Sequence, residues 1–333
     1  MERNASRIKH VKASARFLSS ILLLLLTVGT NRAIGQDVVA KLEMVSGDRQ
    51  ITVNVRSPSL PYVVRTVDAA GKPVAGVGLL IQPAIGGYGR TKKDEFGFRG
   101  FNTPLDYLPR PTGPVPTSLA MTGPDGLAEA TPDHLDGWSS AFLVSASNYS
   151  NRPPFPPVYF SAVRLSVPPP GNPGMVVEYF DSDIGHYFNT LLQSEIDALE
   201  ADRFPGWKRS IGAFIAYATA QDAPPGAVPV CRFFSSTYTS HFYTADPGEC
   251  DAVVAKWPDV WKLETRTAFY IQVPDKATGA CAPGLQPIYR MYSTRNGPNH
   301  RYVADSKLRD AMVRAGWVSE GYGPDDVMLR TAR

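Results

Sequence analysis

Three histidines at matching places, His186, His241 and His300, are the side chains best suited to chemistry. Each follows an apolar run by six to eight residues: Val176 to Phe180, Val230 to Phe234 and Ile288 to Tyr292. A neutral imidazole is a metal ligand, and three that converged would make a three-His zinc site. The competing reading is structural, and it is preferred. Each histidine would donate a hydrogen bond to a neighbouring loop carbonyl and lock its own repeat, because repeated structure needs repeated locks whereas a site normally needs one. On a strand, residues two apart share a face, so His186 should sit beside Phe188, His241 beside Tyr243 and His300 beside Tyr302. Trp207, Trp261 and Trp317 follow at matching places. Exposed rings of this kind bind sugars, although rings repeated in register more often form the core, given the area each buries.

Enzyme signatures do not occur. The chain has no Gly-x-Ser-x-Gly elbow and no His-Glu-x-x-His helix or Walker loop. His134 lies in the turn-like stretch Pro132 to Gly137, where a surface position is expected. Arg290, Arg295, Arg301, Lys307, Arg309 and Arg314 read as a solvated basic face. Cys231, Cys250 and Cys281 fit no zinc spacing. No catalytic residue, cofactor or metal is therefore assigned. In an exported protein two of the cysteines should pair and one should be left over.

These residues are carried by a unit that recurs about every 55 residues, at about 175–220, 229–272 and 287–331, a repeat architecture. Within each copy the order is strand, strand, helix, strand. Asp246 is a helix cap followed by Pro247 at the first helical position and Glu249 at the third. Cys250, Val253, Val254 and Trp257 then give one apolar face. In the third copy Asp305 is the cap and Leu308, Met312 and Ala315 face inward. In the first, Thr190 and Gln193 take the capping roles, with Ile196 and Leu199 inward. Asp197, Asp251 and Asp310 recur on what reads as a solvated face. One unit has too little to bury alone. Three could close into one pseudo-threefold body or line up as an extended array.

The first 35 of the 333 residues read as a signal peptide. Arg3, Arg7, Lys9, Lys12 and Arg16 precede the apolar run Phe17 to Val28, and Ala33-Ile34-Gly35 gives small-x-small. That run is short of the roughly 20 residues of a membrane span. Removing the segment takes six of 34 basic and one of 31 acidic residues, leaving 28 against 30, a net −2 in place of +3. The case for nucleic acid goes with it. Residues 36–167 carry seven or so short strands with regular turns, which argues a β-sandwich. Pro168 to Gly174 reads as a semi-rigid spacer.

Val64 to Val77, with its Asp68-Ala69-Ala70-Gly71 turn and Gly71-Lys72-Pro73-Val74 step, and then Thr122 to Ala128, resemble the bacterial immunoglobulin-like domains of the invasin/intimin type. The long insertion Pro83 to Ser118, with Tyr88, Phe96, Phe98, Phe101 and Tyr107, departs from that pattern. Its rings could grip a partner or fold over one end of the sandwich. The stretch Ser240-His241-Phe242-Tyr243-Thr244-Ala245-Asp246, a helix, a tryptophan and the ending Gly321-Tyr322-Gly323-Pro324-Asp325 resemble the bacterial HFYT-repeat domain of secreted proteins. That resemblance implies no established activity. Family members often carry a cysteine near the C-terminus, where this chain has Met328-Leu329-Arg330; Cys250 with Cys281 is the pairing expected here. The chain thus reads as an all-β immunoglobulin-like sandwich followed by an α+β domain of three pseudo-repeats, exported to the medium, periplasm or cell surface. The expected role is non-catalytic binding or adhesion, to a glycan, envelope polymer or surface protein, through His186, His241, His300, Tyr243, Tyr302, Trp207, Trp261 and Trp317. An accessory part of an extracellular hydrolase system, a three-histidine metal protein and a structural spacer are the alternatives.

Overall fold

The computed structural model describes residues 38–55, 57–83, 117–133, 141–149, 155–295 and 297–333. The signal segment, the rings of the 83–118 insertion and His134 lie outside them. Val38–Arg333 gathers into one compact unit that is mostly β-sheet. Among the described residues, no helix is long and apolar enough to cross a membrane.

The N-terminal part holds β1 (Lys41–Ser46), β2 (Gln50–Val53), β3 (Tyr62–Val67), β4 (Gly78–Pro83), β5 (Ser118–Met121), β6 (Leu127–Ala130), β7 (Ala141–Asn148) and β8 (Val158–Leu165). They form a sheet in the order β1-β3-β6 and another in the order β2-β8-β7-β4-β5. In β3 and β4 buried and half-buried residues alternate, the pattern of a strand with one face in a core. Tyr62 and Val64 from the first sheet meet Leu79, Ile81, Val144 and Phe160 from the second in one apolar cluster.

Beyond it, the same succession of hairpin, helix and strand occurs three times. The first segment is β9 (Gly174–Asp181), β10 (His186–Thr190), α1 (Gln193–Glu200) and β11 (Trp207–Ala216). After β12 (Val228–Pro229) the second is β13 (Cys231–Ser235), β14 (Ser240–Thr244), α2 (Pro247–Lys256) and β15 (Lys262–Thr265), followed by β16 (Tyr270–Ile271). The third is β17 (Leu285–Ser293), β18 (Asn299–Val303), α3 (Ser306–Arg314) and β19 (Val318–Glu320), closed by β20 (Val327–Ala332) on β17. In each, the first strand is the centre of its sheet, with the hairpin partner on one side and the strand after the helix on the other.

β10, β14 and β18 each touch the other two, so the three segments close on one another and do not form an extended array. Their interior is shared: Val176 and Phe214 from the first, Val230, Tyr243 and Phe269 from the second, and Ile288, Tyr302 and Leu329 from the third pack in one cluster. Two tyrosines fasten the centre. The Tyr243 hydroxyl donates to the Asn189 carbonyl at 2.7 Å and accepts from the Asn189 amide at 3.1 Å. The Tyr302 hydroxyl does the same to Tyr243, at 2.6 and 2.9 Å.

The helices begin as their sequences dictate in two cases. Asp246 caps α2 by accepting from the Gly248 and Glu249 amides, and Asp305 caps α3 through Lys307 and Leu308. For α1 the expected cap is corrected. Leu192 holds the N-cap position with no side-chain bond, and Thr190 accepts from the Leu192 amide two residues earlier, off the helix. Trp257 is corrected too: α2 ends at Lys256, so this ring leaves the buried face and is 51% exposed.

The first segment also shares a core with the N-terminal strands. Val163 and Leu165 of β8 pack with Val177, Tyr179, Ile196 and Ile215. Buried Arg209 reaches across to Asp48 at 2.6 Å and to Glu200 at 2.9 Å. The proline stretch is pinned as well: the Asn172 amide donates to the Asp222 carbonyl at 2.8 Å. Gly171 has φ +76° there, and a Cβ would stand 2.0 Å from that carbonyl oxygen.

Candidate functional site

Strand register decides which side chains correspond between segments. His241 stands opposite Phe234 and His300 opposite Tyr292, but Tyr187 stands opposite Phe180. His186 falls one place back, opposite Asp181. The three histidines are therefore not equivalent, and a one-residue offset on a strand turns a side chain to the other face.

Two clefts follow from this register. One, of about 450 Å³, lies between the first and second segments, and the other, of about 490 Å³, between the second and third. In the first, Arg232 on β13 gives its Nε to Glu264 at 2.8 Å and forks onto Glu195 of α1 at 2.9 and 2.7 Å. In the second, Arg290 on β17 gives its Nε to Glu320 at 2.8 Å and forks onto Glu249 of α2 at 2.9 Å for both bonds. Such forked, charge-assisted pairs are among the strongest hydrogen bonds available to side chains. Each guanidinium also lies over a ring of the preceding segment, Phe188 at 5.3 Å and Phe242 at 5.0 Å.

The histidines complete the match. His241 packs on Phe188 and Phe234 at 4.6 and 4.9 Å between centroids, with Nε2 3.6 Å from Glu264. His300 packs on Phe242 and Tyr292 at 5.0 Å each, with Nε2 3.6 Å from Glu320. In both rings Nδ1 is buried and has no hydrogen-bond partner among the described residues. Trp207 packs beside Phe188 and Trp261 beside Phe242. At the mouths stand Phe204, 55% exposed, and Trp257.

The third junction, from the third segment back to the first, is built from different residues at the corresponding places. Glu178 replaces the arginine, Arg301 the phenylalanine, Leu308 the helix glutamate, Ser210 the other glutamate and Tyr187 the histidine. Arg301 donates to Glu178 at 3.1 and 2.9 Å, and Ser210 donates to the same carboxylate. Glu178 is 0% exposed. Gly212 leaves it room, since a Cβ there would fall 2.6 Å from its carboxylate. Tyr187 packs on Phe180 at 4.7 Å and beside Trp317 at 6.2 Å, so rings fill the space that is a cleft at the other two junctions.

Burial, the Arg232 guanidinium and His186 push the His241 imidazole down to about 3. Burial and then Arg290 lower His300, against the opposing pull of Glu320. Both imidazoles are neutral at pH 7, so neither adds charge to its cleft. A histidine depressed in the folded state binds its proton in the unfolded chain first. Its contribution to stability is complete above the unfolded value near 6.5 and is lost as pH falls from there toward about 3. Each such group gives a slope of at most about 1.4 kcal/mol per pH unit. Urea unfolding at pH 7 and pH 5 should show the wild type losing stability, and the His241→Gln/His300→Gln double variant losing distinctly less between the same two pH values. An equal loss in both would contradict the placement of these rings.

The sequence-predicted residues thus divide. His241, His300, Trp207 and Trp261 line the two clefts. His186 does not: its Nδ1 meets the Thr239 carbonyl at 3.0 Å, tying the first segment to the loop of the second instead of locking its own. Tyr243 and Tyr302 are buried at the centre, and Trp317 is buried in the filled junction. Among the described residues, no group of three or more His, Cys, Asp or Glu is placed to hold a metal. The expected Cys250–Cys281 pairing is corrected. Cys250 of α2 bonds Cys231 of β13, with Cα atoms 6.2 Å apart, because the helix packs on its own sheet; Cys281 is free and packs beside the third segment's core. Sequence reading missed the arginine–glutamate forks altogether. Arg232 and Arg290 at the same step of two matching strands, with Glu195 and Glu249 each third in its helix, were the available signal.

A domain of unknown function, DUF5648, is found in the chain, its family model matching residues 163–272 and 259–324. Comparison with curated proteins and with solved structures returned no match.

Proposed function

We propose that this chain is an exported, non-catalytic binding or adhesion protein that takes a glycan or envelope polymer in the two clefts. The N-terminal strands are, in this reading, an immunoglobulin-like sandwich, and the three segments are pseudo-repeats of one ancestral unit. The observation that carries the proposal is recurrence. An arginine forked between two glutamates, a neutral histidine, a phenylalanine and a tryptophan come together at two junctions in the same arrangement. A purely structural lock would not need to leave about 450–490 Å³ open beside it, when the third junction is filled. Concave sites with aromatic walls and a few converging polar groups are the usual form of small-ligand sites.

Catalysis by the carboxylate pairs is disfavoured. A glycoside hydrolase needs one carboxyl to carry a proton to the leaving group. Here both carboxylates of each cleft accept from the same guanidinium, and an ionised carboxylate offers acceptors only. A glycan array probed with the chain from residue 36 onward is the direct test. The whole chain is used because the first segment shares its core with β8. Saccharide signals that fall in a Phe204→Ala/Trp257→Ala double variant are expected. An array silent for the wild type would remove the proposal.

A further inference from the structure

Each cleft has a charge as well as a shape. Its lining includes one guanidinium and two carboxylates, and no other Asp, Glu, Lys or Arg. With the histidine neutral, each cleft carries a net negative charge. Three guanidinium nitrogens already donate to the two glutamates, so the arginine's attraction for an outside anion is largely spent. The glutamates are different. Glu195, Glu264, Glu249 and Glu320 keep 26%, 33%, 34% and 31% of their side chains accessible, and a carboxylate has about four acceptor positions. Acceptors beside exposed rings suit a ligand with a flat apolar face and strong donors.

We infer that each cleft takes an amino sugar, a pyranose with a free protonated amine, and that one chain holds two of them, one per open junction. The ring face lies on Trp207 or Trp261, with Phe204 or Trp257 at the mouth. The ammonium donates to the carboxylates on either side of the arginine, and hydroxyls take the remaining acceptors. A uronic acid would bring like charge to the same place. The third junction contributes no site, since Tyr187 and Arg301 fill it. This inference rests on the binding reading above and adds the ligand's charge class and number.

The test is calorimetric titration of the chain from residue 36 onward in mildly acidic buffer with three probes. These are a glucosamine trimer with free amines, its fully N-acetylated counterpart and a galacturonic acid trimer. The free-amine trimer is expected to bind with two equivalents, about tenfold tighter than the acetylated one, and the galacturonate least. Added salt should narrow that gap. Phe204→Ala and Trp257→Ala change exposed rings that folding does not need, and each should reduce the stoichiometry from two to one. Galacturonate binding as tightly as the free-amine trimer would overturn the charge class. Acetylated and free-amine trimers binding equally would do the same while leaving the binding reading standing. A single equivalent unaffected by either variant would overturn the two-site assignment. No binding by any of the three would count against both.

Discussion

Glu178→Ala should be the most damaging single change in the three-segment region, costing about 3–5 kcal/mol, because it removes the counter-charge of a buried cation. Arg301 is 4% exposed and is held by both Glu178 oxygens, while Ser210 takes the same carboxylate. With the carboxylate gone, water cannot reach the guanidinium without opening the junction that closes the third segment onto the first. Against a typical total of about 5–15 kcal/mol, the melting midpoint should fall by on the order of 10 °C. Glu178→Leu with Arg301→Leu should recover much of the loss, since a buried pair replaced as a pair by apolar residues is often close to neutral. Glu195→Ala is the matched control at an open junction. Glu195 is about a quarter exposed and Arg232 retains Glu264, so the cost should be nearer 1–2 kcal/mol. Equal costs for Glu178→Ala and Glu195→Ala would mean that the third junction is no different from the others.

Breaking the Cys231–Cys250 bridge ranks second. The two cysteines are 19 residues apart, which on the loop-entropy relation corresponds to about 3 kcal/mol. The bridge ties α2 to its own sheet, one residue from the Glu249 that receives Arg290. Cys231→Ala/Cys250→Ala should therefore lower stability by about that amount, read by urea unfolding. Cys281→Ser should cost far less, because that thiol is partly exposed and unbridged. Mass mapping of the oxidised protein that joined Cys250 to Cys281 would contradict this.

Much of this was legible in the sequence, and the two failures have separate physical causes. Capped helices at Asp246 and Asp305 and the thrice-repeated strand order are local features that residue type and spacing report directly. The histidine alignment failed because the β9–β10 and β13–β14 hairpins are of equal length, and His186 stands one residue before the place that His241 holds. Matching His186 to His241 by type put it one step out of register, where Tyr187 belongs. The cleft pairs failed for another reason. Arg232 finds Glu195 37 residues away, and Arg301 finds Glu178 123 residues away. No local pattern encodes such distances; only closure of the three segments does. That closure also explains why glutamate, arginine, leucine, serine and tyrosine at the third junction look like unrelated departures until they are seen side by side.

Native-state hydrogen exchange, followed against added denaturant, addresses that closure most directly. The Asn189 amide is bonded to Tyr243 and the Tyr243 amide to Tyr302, each across a junction. If the three segments share one interior, amides of β10, β14 and β18 should open in a single event, with equal free energies and equal denaturant slopes. A lower opening energy confined to one of these strands, with the other two still protected, would show a segment that folds by itself and would contradict the shared interior.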